Sequence, residues 1–457
     1  MVTFVLALAL GGCGEEDPLL PVRGALAGPR RQVVLITIDT LRTERLGAYG
    51  NSRPTSPFID QLARGGVQFM RAYAPAPVTV ASHMSLLTGL APHTHGAIRN
   101  IGRITRDGVP SLPAFLRQRG YDTAAFLSVP FLHPRDKHLP GFAHVELPPV
   151  GEQWSARETF RRAAAWVRAH ADEAFFVWLH AYDPHKPYDP PAPYDTAFWD
   201  EAPEPYELSR SGFLRDGEPT RRQKAYLSAL YDGEVRATDA AVEEFFDAVG
   251  PVWPEPPLVI VTADHGEVLA EQAADVRMLY FHGKYPYNQA LSVPLVVHWR
   301  NRLTPARQWS PVDITGLAPT IAGLLFDDPY DAEVASFADL VRGHGTASEP
   351  LFAFAPRADT IEKIPPGWEF RGVETWSILR WPWHLVHNPL RATSLYDVEA
   401  DPLELHDRAA EEPERTARLR AEAIAHFSGL ARPVEDLRPV DEKLQKQLES
   451  LGYVDEP

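Results

Sequence analysis

Residues 32–40 read QVVLITIDT, and this short run fixes the expected architecture of the chain. It is mostly apolar, rich in β-branched side chains and free of polar alternation, which is typical of a strand buried on both faces of a parallel sheet. Asp39 follows at the carboxyl end of that strand, the edge where open α/β sheets place their ligands. The run therefore predicts a parallel sheet with a polar site at its carboxyl edge.

Further apolar runs and amphipathic segments alternate along the chain. The predicted strands are residues 67–73, 123–127, 174–179, 258–262 and 293–298, and the predicted helices are residues 57–65, 111–119, 156–171, 222–248 and 311–325. Alternation of strand and helix predicts a doubly wound fold. We expect an α/β/α sandwich with a large, mostly parallel central sheet.

The alternation of strand and helix ends at about residue 343. Residues 351–400 contain short extended pieces rich in Trp and Phe, which predicts a small antiparallel sheet, and helices are expected at 410–427 and 442–451. The expected organisation is a leader and tether over 1–30, a catalytic α/β domain over 31–342 and a C-terminal subdomain over 343–457.

Composition sets limits on the partners. The 457 residues carry a net charge of -16, so the chain lacks the excess of basic residues that would neutralise nucleic-acid phosphates. Cys13 is the single cysteine, which excludes an internal disulfide and a thiolate metal cluster.

The first residues predict export. Met1–Gly12 is an apolar run too short to span a bilayer and typical of a secretory leader. The run ends Leu10-Gly11-Gly12-Cys13, which looks like a bacterial lipobox, so we expect an exported protein held on the cell envelope by a lipid on Cys13. The alternative is a frayed apolar tail.

Chemically active residues gather at the predicted strand ends. Besides Asp39, the segment His180–His185 follows one strand, and Asp264 and His265 follow another. Thr79 opens a helix-like run, TVASHMSLLTGLAPHTHG at 79–96, where the positive end of the helix dipole favours an ionised hydroxyl. Each feature alone has a plainer interpretation, since Thr is a common helix cap and an Asp-His pair often caps a strand end.

Together these residues indicate a metal site. Two carboxylates and an imidazole on rigid strand ends, beside a hydroxyl, suit Zn, Mg, Mn or Ca, as one ion or two. A metal lowers the pKa of the hydroxyl and makes it a nucleophile, which is what transfer of a phosphoryl or sulfuryl group requires.

Five blocks of the sequence resemble, in order, the successive blocks of the sulfatase family in the alkaline phosphatase superfamily. They are ITIDTLRTERLGAYG at 36–50, TVASHMSLLTGLAPHTHG at 79–96, LHAYDPHKPYDPP at 179–191, VTADHGE at 261–267 followed by FHGK at 281–284, and SLYDVEADPLE at 394–404. ESLGYV at 449–454 is also similar to family members. The resemblance implies the same sandwich fold with a C-terminal antiparallel subdomain.

Residue by residue, the resemblance implies that Asp39, Asp264 and His265 are metal ligands and that Thr79 is the nucleophile and an occasional ligand. His185 and His282 resemble positions that contact substrate or a second metal in threonine-dependent phosphoethanolamine transferases, and Lys284 lies near a substrate-binding lysine of sulfatases. Arg42 is expected either to support the site electrostatically or to lie at the surface.

The chain also departs from the family pattern. Thr79 stands where sulfatases convert a cysteine or serine to formylglycine, and threonine cannot form that aldehyde. Ala81 replaces a proline, His83 an arginine, Thr40 a second aspartate and Asn288 an acid. We therefore expect a threonine phospho-enzyme, with hydrolysis and phosphotransfer left open, acting on a small-molecule, glycan or lipid ester.

Two other classes of function are weighed against this one. The departures favour a non-catalytic envelope binding protein that retains the fold, whereas the presence of Asp39, Thr79, Asp264 and His265 opposes it. A phosphomutase of the same superfamily is disfavoured by the expected export, because sugar phosphates are cytosolic.

Overall fold

The computed structural model describes residues 31–430, apart from 101–103, 105, 107, 135–138, 207, 209–217, 271–278, 327, 347–349, 357–373 and 390. Its strands are β1 (Gln32–Ile38), β2 (Val67–Tyr73), β3 (Asp122–Leu127), β4 (His144–Glu146), β5 (Phe175–Ala181), β6 (Leu258–Thr262), β7 (Ser292–His298), β8 (Ala306–Gln308), β9 (Val312–Asp313), β10 (Leu351–Ala355), β11 (Thr375–Arg380), β12 (Trp383–His387) and β13 (Ser394–Asp397). Its α-helices are α1 (Pro57–Arg64), α2 (Thr79–Thr88), α3 (Pro92–His95), α4 (Leu112–Arg117), α5 (Ala156–Ala169), α6 (Arg221–Val249), α7 (Asn288–Leu291), α8 (Leu317–Leu325), α9 (Ala338–Val341) and α10 (Pro413–Gly429).

Nine strands form the central sheet, in the order β4-β3-β5-β1-β6-β7-β2-β8, with β9 also paired to β2. Strand β7 pairs antiparallel with both of its neighbours, and the other pairs are parallel. Every residue of β1, β5 and β6 is buried, as their unbroken apolar runs predict. Burial of each large apolar side chain contributes about 1.5–3 kcal/mol.

The helices form two layers. Helices α1 and α5 pack on the long helix α6, while α2, α4 and α8 pack on one another. The expected α/β/α sandwich with a mostly parallel sheet is confirmed.

One predicted helix was wrong at its start. The helix expected over 311–325 begins only at Leu317, because Val312 and Asp313 pair with β2. The Asp313 carboxylate then accepts a hydrogen bond from the Thr315 N–H at 2.7 Å, which opens a short 3₁₀ turn before α8.

A second, antiparallel sheet has the order β10-β11-β12-β13, with α10 packed on β11 and β12. This confirms the expected C-terminal sheet. The helix predicted at 442–451 and the leader at 1–30 lie outside the described residues. No helix in the described ranges is long and apolar enough to cross a bilayer.

The second sheet is tied to two loops of the main sheet. The Phe354 N–H donates to the carbonyl of Pro75, just before α2, at 3.1 Å. The Glu404 carboxylate accepts from the Asn288 N–H at 2.8 Å, and the Asn288 amide donates to the Pro402 carbonyl at 2.8 Å. We call the contacts of 402–404 with 288–289 the C-terminal brace; they include a bond from Gln289 to the Leu403 carbonyl.

Candidate active site

Asp39 lies where β1 ends, and the chain turns sharply after it. The Asp39 N–H still donates to the Ala181 carbonyl of β5 at 2.9 Å, which keeps Asp39 in register with the sheet. Thr40 then adopts a left-handed conformation, with φ of 54°. The Tyr231 hydroxyl of α6 donates to the Thr40 carbonyl at 2.7 Å and accepts from the Arg42 N–H at 3.0 Å. Tyr231 therefore fixes the turn that presents Asp39.

Thr79 is the first residue of α2, with Val78 at the N-cap position. Its side chain is thus free of the capping role that the sequence left open. Ser82, one turn further, donates its hydroxyl to the Asp264 carbonyl at 2.5 Å and ties the helix to the end of β6. The Thr79 hydroxyl oxygen lies 3.3 Å from Nε2 of His265.

Asp39, Asp264 and His265 each offer one ligand atom, all within 4.8 Å of one another, and all three residues are buried. His265 Nδ1 lies 2.9 Å from the Gly266 carbonyl, which can only accept, so we infer that Nδ1 carries the proton. The Nε2 lone pair then faces Oδ2 of Asp264 at 3.4 Å and Oδ1 of Asp39 at 3.8 Å. A metal-binding histidine commonly has this arrangement.

The carboxylate oxygens show that a cation fits this group. Both oxygens of Asp39 and Oδ2 of Asp264 are buried and have no hydrogen-bond partner among the described residues. Burial raises the pKa of Asp39, and the nearby carboxylates of Asp264 and Glu267 raise it further. A divalent cation would satisfy these atoms and compensate their charge.

A series of hydrogen bonds runs from Trp178 through Thr37 and His83 to the backbone carbonyl of Thr79. The Trp178 indole donates to the Thr37 hydroxyl at 2.9 Å, and Thr37 Oγ1 lies 3.0 Å from Nε2 of His83. His83 Nδ1 lies 2.8 Å from the Thr79 carbonyl, so Nδ1 carries a proton and Nε2 accepts from Thr37. Burial lowers the pKa of His83, consistent with a neutral ring. His83 therefore holds Thr79, the predicted nucleophile, through its backbone carbonyl.

His185 and His282, predicted to contact the substrate or a second metal, lie beside the candidate metal ligands Asp39, Asp264 and His265. The ring centroids of His282 and His265 are 4.5 Å apart, and those of His185 and His282 are 5.1 Å apart. Their Nδ1 atoms lie against acceptors: the Lys186 carbonyl at 2.7 Å for His185, and Oε1 of Glu267 at 3.2 Å for His282. Burial lowers the pKa of both rings.

Two lysines, Lys186 and Lys284, bring positive charge close to these histidines. Lys284 Nζ lies 5.0 Å from the centroid of the Phe281 ring, and Lys186 Nζ lies 4.7 Å from it. Lys186 is buried and donates to the Tyr280 carbonyl at 2.9 Å. Burial lowers the pKa of Lys186 to about 8, so it is mostly an ammonium at neutral pH.

Sequence reasoning gave no individual role to Lys186, Glu267, Tyr231 or His180. Glu267 is buried at the centre of the group, and its charge acts on Lys186 and His185. One signal was present in the sequence: Lys186 directly follows His185, and Glu267 follows His265 after a single glycine. Tyr231 lies within a long helix and gave no signal at all.

Arg42 is the remaining candidate from the sequence, and His95 and Asp183 are two other polar residues of the family blocks. Arg42 is buried and pairs with Glu44. Burial raises the pKa of Glu267, and the positive charge of Arg42 is one of those that oppose this rise. His95 bonds Ser85 and the Ala97 N–H, which is a structural role. Asp183 accepts from the Ala156 N–H at the start of α5.

A sulfatase family model matches residues 31–327. The ulvan-active sulfatase of Formosa agariphila is 24% identical over 347 residues, which are 72% of this chain and 61% of that protein. The chain thus spans less than two thirds of the length of this curated relative.

Two solved structures share the fold. The phosphonate monoester hydrolase of Silicibacter pomeroyi has a TM-score of 0.71 and 20% identity, and the match covers 90% of this chain and 98% of the hydrolase. That of Agrobacterium radiobacter has a TM-score of 0.68 and 20% identity, covering 87% of this chain and 95% of the hydrolase.

Proposed function

The chain belongs to the sulfatase family, and on that premise we propose that it is a metal-dependent hydrolase or transferase of sulfate or phosphate esters with Thr79 as nucleophile. Phosphoester chemistry is favoured, because threonine cannot become the formylglycine that sulfate hydrolysis uses in this family. The single observation that carries the proposal is the position of the Thr79 hydroxyl, 3.3 Å from His265 within the buried group of Asp39 and Asp264.

Asp39, Asp264 and His265, with Thr79, would hold the ion. Bound there, a divalent ion lowers the pKa of the Thr79 hydroxyl and offsets the charge of the transferring group. The residues fit the ion because their unpartnered oxygens and the lone pair of His265 converge. The donor set suits Zn, Mg, Mn or Ca, as one ion or two.

The chemistry of the chain's own residues follows from the geometry. Thr79 Oγ1 gives up its proton to solvent and forms a bond to phosphorus. The bond from phosphorus to the departing oxygen breaks, and that oxygen takes up a proton from solvent, leaving a phosphothreonine ester and a free alcohol. Water, or an acceptor hydroxyl in a transferase, then attacks phosphorus, breaks the bond to Thr79 and restores the hydroxyl. His83 holds the Thr79 backbone in both steps.

Lys186 and Lys284 are proposed to bind the substrate's anionic oxygens, and His185 and His282 to contact the substrate as acceptors or to hold a second ion. Both lysines supply positive charge close to the Phe281 ring. The histidines present the lone pair of Nε2, because their Nδ1–H groups face the Lys186 carbonyl and Glu267. Specificity for a small-molecule, glycan or lipid alcohol is left to the surrounding loops.

The test compares purified wild-type protein with Thr79→Ala and Thr79→Ser on aryl phosphate monoester, aryl phosphodiester and aryl sulfate, after metal content is determined. We expect phosphoester turnover that Thr79→Ala reduces by at least about 10³-fold, since a nucleophile is lost, while Thr79→Ser keeps part of it. Turnover that survives in Thr79→Ala would contradict the nucleophile. Bound metal or turnover missing from the wild type would favour the binding-protein alternative.

Export and anchoring remain a sequence-based proposal. The Leu10-Gly11-Gly12-Cys13 motif supports attachment to the envelope through a lipid on Cys13. An ester of an envelope lipid or glycan would then be within reach of the site.

A further inference from the structure

His180 is a buried histidine whose ring is not satisfied by the protein around it. It lies near the end of β5, beside Thr37 of β1, and is fully buried. Neither ring nitrogen has a hydrogen-bond partner among the described residues. The carbonyl of His180 itself is occupied, because it accepts from the Ser128 hydroxyl at 2.8 Å and from the Ser128 N–H at 3.2 Å. A buried polar group left in this state is costly, by about 1–3 kcal/mol.

The group that faces His180 is equally unsatisfied. His180 Nε2 lies 3.7 Å from Oδ2 of Asp39, and neither oxygen of Asp39 has a hydrogen-bond partner in the described part of the chain. The gap is longer than an N–H···O hydrogen bond, which spans about 2.7–3.2 Å. A movement of less than about 1 Å closes it, so the two groups are complementary and nearly in contact.

The two oxygens of Asp39 face different partners. Oδ1 faces His265 Nε2 at 3.8 Å, on the side where the metal group converges. Oδ2 lies 3.7 Å from His180 Nε2. An ion that Asp39 binds through Oδ1 therefore leaves Oδ2 in need of a donor.

We propose that His180 is a positioning residue for the metal site: its Nε2–H donates to Oδ2 of Asp39 and orients the carboxylate toward the ion. The assignment rests on the metal site of the proposed function and gives a role to a residue to which the sequence assigned none. A neutral imidazole has one N–H to give, and burial favours the neutral ring. Outer hydrogen bonds of this kind typically change metal affinity by about 10–100-fold.

Two substitutions separate the hydrogen bond from the shape of the ring. In His180→Gln the side-chain amide nitrogen reaches approximately the position of Nε2, whereas in His180→Asn the amide reaches only that of Nδ1. His95→Gln is the matched control, since His95 is equally buried but bonds Ser85 and Ala97. The readout is affinity for Zn²⁺ and Mn²⁺ by chelator competition on the full-length protein without substrate, with thermal unfolding of each metal-free variant measured in parallel.

We expect His180→Asn to weaken metal binding by about 10–100-fold, with His180→Gln and His95→Gln close to wild type. Unchanged affinity in His180→Asn overturns the assignment, and so does an equal loss in His180→Gln, which would mean that the imidazole ligates the ion itself or acts by packing alone. Equal loss in His95→Gln would assign the effect to general destabilisation and also overturn it. A wild-type protein that takes up neither ion removes the metal from the proposed function itself, a result distinct from failure of His180 alone.

Discussion

The Tyr231 hydroxyl supports the turn after Asp39, and its removal should cost both stability and metal affinity. Tyr231→Phe deletes one atom that satisfies two buried backbone groups, the Thr40 carbonyl and the Arg42 N–H. Each group left unsatisfied costs about 1–3 kcal/mol, so the free energy of unfolding should fall by about 2–6 kcal/mol. Because Asp39 adjoins this turn, metal affinity should fall as well, by about tenfold or more.

Tyr49 offers a matched control. Its hydroxyl also serves two backbone groups, donating to the Leu295 carbonyl at 3.1 Å and accepting from the Leu295 N–H at 2.9 Å. It lies at β7, however, and Tyr49 is only half-buried, so water can replace part of what Tyr49→Phe loses. We expect a smaller loss of unfolding free energy, about 1–2 kcal/mol, with unchanged metal affinity.

The assays are urea unfolding of the metal-free proteins, followed by chelator competition for the metal. A loss in Tyr231→Phe below about 0.5 kcal/mol, the usual range for surface changes, would refute the magnitude worked out above. Equal loss of metal affinity in both variants would refute the link from Tyr231 through the turn to Asp39.

Two further predictions concern pH and localisation. Burial and the neighbouring Asp183 raise the pKa of Glu234 to about 8, so the folded protein holds a proton that the unfolded chain releases near pH 4.5, and stability falls as pH rises through this window. Urea unfolding of Glu234→Gln, whose side-chain oxygen can still accept from the Asp189 N–H, should therefore show a fall between pH 5 and pH 8 that is smaller than in wild type by roughly 2–4 kcal/mol; parallel pH profiles would contradict this. In a bacterial host, Cys13→Ala should move the protein from the membrane fraction to the soluble fraction, and an unchanged distribution would contradict lipid attachment.

The fold could be predicted because a strand that is buried on both faces has an unbroken run of apolar residues in its sequence. Strands β1 and β6 carry unbroken apolar runs, and the structure places them side by side at the centre of the sheet. The antiparallel direction of β7 was not readable, since an apolar run looks the same in either direction. The late start of α8 was missed because Val312 and Asp313 pair with a strand distant in sequence.

The site was readable where its residues end strands. Asp39 and Asp264 follow apolar runs, and the structure brings them together with His265. His180 was also expected just after a strand, but it lies within β5, and the sequence gave no sign that it faces Asp39. Contacts of this kind are set by the register between β1 and β5, which no local pattern encodes.

The C-terminal brace has a consequence for defining a minimal functional unit. The family model ends at residue 327, yet the loop that follows His282 and Lys284 is held at Asn288 and Gln289 by residues 402–404. A fragment cut at the family boundary would keep every predicted ligand and lose the three bonds that anchor this loop, and Pro75 would lose its bond from Phe354. Gene fragments or split versions of this protein should therefore be divided after α10, because the second sheet serves as part of the frame of the site.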